Sequence, residues 1–130
     1  MITPPKIDGF EILGLLGQGG TATVWKARQL SLNRLVAIKV LSPTLTRNHE
    51  DIRRFCDEAR AAANLNHSGI VRVYDATFAN GLYFVMELID GYTAGQWQRR
   101  KGSIALDDVL IVAENVATAL DYSWTHHRMI

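Results

Sequence analysis

The apolar positions of this 130-residue chain change their period along its length. From Phe10 to Leu41 they fall in short runs rich in valine, isoleucine, threonine and tryptophan, which suit half-buried pleated segments. The pattern predicts three consecutive strands: Phe10 to Leu16, Thr23 to Gln29, and a third that ends at Leu41. Gly17, Gly19 and Gly20 occupy the first turn, Ser31 to Arg34 the second, and Pro43 stops the third strand. From about Asn48 to Leu65 the period becomes helical, with Ile52, Phe55, Ala59, Ala62 and Leu65 at spacings of three and four. Two more strand-like runs, Val71 to Phe78 and Leu82 to Leu88, flank Ala79-Asn80-Gly81, and Asn-Gly between such runs signals a hairpin. Beyond Asp90-Gly91, Thr93 to Arg100 reads as a short helix and Leu106 to about His127 as a long one. The long helix carries an apolar stripe that includes Val109, Val112, Ala113, Val116, Ala117 and Leu120. Asp107 and Asp108 at its start and His126, His127 and Arg128 at its end match the helix dipole.

The expected fold class is therefore α+β. Residues 10–89 form a five-stranded antiparallel sheet with one long helix, residues 90–130 add two helices, and residues 1–9 are a loose lead-in where Pro4-Pro5 bar a helix.

Two features of the first three strands point to chemistry. The glycines stand between two strands, so they close a hairpin and do not open a helix. That excludes a dinucleotide fingerprint, which needs strand, glycine turn, then helix. It also excludes a Walker-type loop, because Thr21 and Ala22 follow Gly20 where Lys-Ser or Lys-Thr is required. A glycine hairpin can instead lie over a polyphosphate, its N–H groups unobstructed by Cβ atoms. The second feature is Lys39 in the apolar run Val36 to Leu41. Side chains alternate along a strand, so Lys39 shares a face with Ala37 and Leu41. A strand apolar on both faces is covered on both, and a lysine there needs an anionic partner. Glu58, bordering the helix's apolar stripe three after Phe55 and four before Ala62, is the candidate.

These residues resemble the N-terminal lobe of the protein kinases. Val36-Ala37-Ile38-Lys39 matches the family's lysine motif letter for letter. Gly17, Gly19 and Val24 fit G-x-G-x-x-G-x-V, with Ala22 in place of the third glycine, as in loops of bacterial Ser/Thr kinases. Glu58 corresponds to the helix glutamate, His67-Ser68-Gly69-Ile70-Val71 resembles the entry to the fourth strand, and Val85-Met86-Glu87 resembles the end of the fifth strand. The resemblance implies the small lobe of a bacterial, eukaryotic-like Ser/Thr kinase, with two helices of an incomplete large lobe. It implies ATP as cofactor, with Lys39 on the α- and β-phosphates and paired to Glu58. Leu16, Gly17, Gln18, Gly19 and Gly20 would form the flap, and Val24 and Ala37 the adenine roof. Met86 would gate the back of the pocket, Glu87 and Ile89 would present backbone groups to the adenine edge, and Thr93 would lie near the ribose. The catalytic-loop Asp and Asn and the D-F-G aspartate have no counterpart in these residues, so no metal ligand is assigned here and Mg2+ is expected only in a full-length enzyme. The 130 residues alone are expected to be inactive, and the alternative reading is a non-catalytic, truncated or pseudokinase-like binding module.

Composition narrows the partners. With 14 basic and 13 acidic residues the net charge is +1, which gives no reason to expect nucleic acid or an anionic membrane as partner. No apolar run approaches the roughly 20 residues of a membrane helix, and Cys56 is the single cysteine, so no internal disulfide can form. A cytoplasmic location is the expectation, with any membrane anchor of a parent protein outside this piece. The partners expected are a protein substrate and, through an exposed Leu106–His127 helix, a second copy of the chain.

Overall fold

The computed structural model describes residues 2–78 and 81–127, which form two compact units. The first comprises Met1–Asn64 with Arg72–Leu88, and the second Leu65–Val71 with Ile89–Ile130.

In the first unit, strands β1 (Phe10–Gln18), β2 (Ala22–Gln29), β3 (Arg34–Leu41), β4 (Val73–Thr77) and β5 (Tyr83–Met86) form one antiparallel sheet. The strand order is β1-β2-β3-β5-β4. A single 3₁₀ turn, Pro43–Leu45, leads to helix α1 (His49–Ala63). Asn48 caps α1 by accepting from the Glu50 N–H at 2.9 Å, and Glu50 and Asp51 favour its positive end. Arg34 lies in β3, not in the preceding turn, because Asn33 takes the left-handed conformation (φ 48°) that an asparagine tolerates and closes the turn one residue earlier. The first two strands run further into the glycine hairpin than periodicity alone indicates, so Gly17 and Gln18 are paired residues of β1.

Alternation divides the sheet into two faces. On the inner face Ala22, Leu41 and Phe84 pack with Phe55 and Ala59 of α1. On the outer face Ala27, Val36, Ile38 and Val85 form a second cluster, joined by Phe10, Ile12, Val40 and Tyr83. Ile7 packs on this outer cluster too, and the lead-in is tied down by a Leu30 N–H to Gly9 carbonyl bond of 2.9 Å. The lead-in is thus docked rather than loose in the part from Ile7 to Gly9, and it gives β3 its second cover.

In the second unit, α2 (Ala94–Lys101) begins with a capping box between Thr93 and Gln96. Helix α3 spans Leu106–His127. Ala119 is its buried position, and a Cβ on Gly69 would meet the Ala119 methyl at 3.2 Å. The Asn66 N–H donates to the Tyr122 hydroxyl at 3.2 Å, and the His67 and His126 rings lie 5.2 and 4.0 Å from the Tyr122 ring. The apolar stripe of α3 (Val109, Val116, Leu120 and their neighbours) is exposed within this unit. The side chains of His127 and Arg128 lie outside the described residues.

Candidate functional site

Lys39 points from the inner face of β3, between buried Ala37 and Leu41. Its Nζ donates to Oε1 of Glu58 at 2.5 Å. The lysine side chain is 23% exposed and the glutamate 54%, so this is a part-exposed pair and not a buried one. Position along α1 explains the contact. Phe55 and Ala59 seat the helix on the sheet, and Glu58 immediately precedes Ala59, one step round the helix at the border of that seat. An ammonium has three donors, so one bond to Glu58 leaves capacity for an anion.

Cross-strand register places the neighbours. Val24, Lys39, Phe84 and Ala76 form one row across β2, β3, β5 and β4. Lys26, Ala37, Met86 and Val73 form the next inner row. Val24, Ala37, Lys39 and Met86 therefore share one face. The glycine hairpin lies at the end of this face. Gly17 pairs with Val24, Gln18 with Thr23, and the Gly19 N–H donates to the Ala22 carbonyl at 2.8 Å. A Ser42 N–H to Thr21 carbonyl bond of 2.9 Å holds the hairpin to the end of β3. Gly17, Gly19 and Gly20 are not in the left-handed region, and a Cβ on Gly17 or Gly20 would meet nothing within 4 Å. The fold itself leaves that space open, and a polyphosphate approaching the hairpin backbone fits it. Among the described residues no group of three or more His, Cys, Asp or Glu could hold a metal ion.

The remaining expected residues divide between the units. The Glu87 N–H donates to the Arg72 carbonyl at 2.8 Å, and its carboxylate accepts from the Arg72 N–H at 3.3 Å. Ile89 and Thr93 belong to the second unit, where Ile89 is exposed and the Thr93 hydroxyl accepts from the Gln96 N–H at 3.1 Å. Leu16 is a half-exposed residue of β1. Sequence reasoning did not single out Phe84. Its ring centroid lies 5.1 Å from that of Phe55 and 5.6 Å from Lys39 Nζ, so one side chain supports both the helix and the lysine. Its place two residues before Met86, on the same strand face, was the available signal.

Comparison with known proteins agrees with this geometry. The protein kinase domain model matches residues 10–130. The serine/threonine-protein kinase PknB of Mycolicibacterium smegmatis is 40% identical over 132 residues, covering 97% of this chain and 21% of that protein. The serine/threonine-protein kinase PrkC of Bacillus subtilis is 34% identical over 125 residues, covering 95% of this chain and 19% of that protein. Among solved structures, the PknI kinase domain of Mycobacterium tuberculosis superposes with a TM-score of 0.77 at 29% identity, over 98% of this chain and 52% of that one. The chain thus spans about a fifth of the length of these relatives and about half of the solved kinase domain.

Proposed function

Since the chain belongs to the protein kinase domain family, we propose that it is the ATP-binding lobe of a Ser/Thr protein kinase, whose full-length form transfers the γ-phosphoryl group of ATP to a protein hydroxyl. The observation that carries this reading is the Lys39–Glu58 pair on one sheet face with Val24, Ala37 and Met86, beside an unobstructed glycine hairpin. In this reading Lys39 holds the α- and β-phosphates, Glu58 fixes the lysine, and Leu16 to Gly20 close over the phosphates. Val24 and Ala37 cover the adenine, Met86 limits its depth, and the backbone of Glu87 meets its edge. Such catalysis is chiefly positioning and charge stabilisation. Residues 1–130 include no counterpart of the family's catalytic base or metal-binding aspartate, so in this reading they bind nucleotide without transferring phosphate. Magnesium would be held by the full-length enzyme.

Calorimetric titration of the chain with MgATP, beside Lys39→Ala, tests the assignment. Saturable binding that weakens in the variant is the expected result. Equal binding by both proteins would remove Lys39 from the phosphate site.

A second reading rests on the exposed apolar stripe of α3. In it the piece acts as a non-catalytic binding module that pairs with a second copy through Leu106–His127. No helix among the described residues is long and apolar enough to cross a membrane.

A further inference from the structure

The sheet face opposite Lys39 carries a cavity of about 570 Å³ that the kinase reading does not use. It lies between the lead-in and the edge of the sheet near the β4–β5 turn, with walls from both. The lead-in supplies Lys6, Ile7 and Asp8, and the sheet supplies Val40, Thr77 and Tyr83, with Leu82 beside them. The lead-in is a built wall. Ile7 is embedded in the outer cluster, its carbonyl accepts from the Phe10 N–H at 3.2 Å, and Gly9 is bonded to Leu30.

The lining has a definite chemistry. Ile7, Val40, Leu82 and Tyr83 are apolar or aromatic. Lys6 and Asp8 are exposed and Ile7 between them is half-buried, so the mixed polar and apolar lining carries one cation and one anion. The volume is in the range of small-molecule sites. A ligand that satisfies both charges and the apolar lining is a zwitterion with an apolar side chain.

The floor also adjoins the nucleotide face. Thr77, Tyr83, Val40 and Thr23 form one cross-strand row. The adjacent row, one residue along each strand, is Ala76, Phe84, Lys39 and Val24, whose side chains project from the other face. Val40 and Tyr83 are each one peptide unit from Lys39 and Phe84 respectively, and the Lys39 ammonium lies 5.6 Å from the Phe84 ring.

We propose that this cavity is a second ligand site, taking a small zwitterion of the apolar amino-acid class, and that its occupancy is felt at Lys39 and Phe84. The site does not rest on nucleotide binding, because the cavity and its lining are present without it. The probe is L-phenylalanine, titrated into the isotope-labelled chain and followed by amide resonances. Phenethylamine, which lacks the carboxylate, and 3-phenylpropionate, which lacks the ammonium, are the controls. The expected result is saturable shifts at Val40, Leu82 and Tyr83, with each control binding about fivefold more weakly, as the loss of one exposed charge pair implies. Lys6→Gln should weaken L-phenylalanine by a similar factor and leave phenethylamine unchanged, and Asp8→Asn should weaken L-phenylalanine and leave 3-phenylpropionate unchanged. Both residues are exposed, so neither variant endangers folding. Shifts that stay linear into the millimolar range, or equal affinity for all three probes, would overturn the site. Saturable shifts that spare the amides of Lys39 and Phe84 would overturn the coupling.

Discussion

Gly17 sits in β1 opposite Val24, outside the left-handed region, and a Cβ there would touch no atom within 4 Å. Replacing a glycine in a conformation that alanine also adopts stabilises the fold by about 0.4–1 kcal/mol, because the unfolded chain loses freedom. Gly17→Ala is therefore expected to raise the thermal midpoint while weakening MgATP binding, which melting curves and calorimetry on the same sample would separate. A lowered midpoint would mean that the hairpin needs this glycine for its own backbone. Lys39 gives the complementary case. Its partner Glu58 is more than half exposed, so solvent screens the pair, and Lys39→Ala should cost no more than about 1 kcal/mol in a urea titration. A loss of several kcal/mol would show that the pair is a structural strut and not a poised binding group.

Helix α1 delivers Glu58 only while it stays seated on the sheet, and Phe84 is central to that seat. It is 3% exposed, contacts Phe55, and flanks Lys39. Truncating a buried phenylalanine costs about 3–5 kcal/mol through lost burial and the cavity left behind. Phe84→Ala is expected to lose stability in that range by denaturant unfolding, and a cost below about 1 kcal/mol would contradict the packing described here. At the start of the same helix the Asn48 cap is worth about 1 kcal/mol, so Asn48→Ala should destabilise the helix modestly without touching any group of the site.

Across the whole chain, the described surface of α3 is unusual for a water-facing helix. Leu106, Leu110, Ile111, Val116 and Trp124 are each more than half exposed within their unit. Exposed apolar surface on this scale marks an association site or an aggregation liability. If two copies pair through α3, sedimentation equilibrium at tens of micromolar should give a dimer mass, and Val116→Lys should return a monomer. A monomeric parent chain under the same conditions would count against that pairing.

The local order of elements was legible in the residues. Period-two runs, the helical spacing around Phe55, the glycine cluster and the Val36–Lys39 motif each depend on neighbours a few positions apart, and sequence encodes those directly. The face on which Lys39 stands follows from strand alternation, and the placement of Glu58 at the edge of its helix's stripe follows from the helical period. Tertiary structure decided what joins across distance. It set β5 beside β3, which brings Phe84 against Lys39, and it closed the 19-residue separation between Lys39 and Glu58. It also laid Ile7 on the outer face and so created the cavity beneath the lead-in. Strand pairing and helix docking depend on shape and burial summed over many residues, and no short stretch of the chain carries that sum.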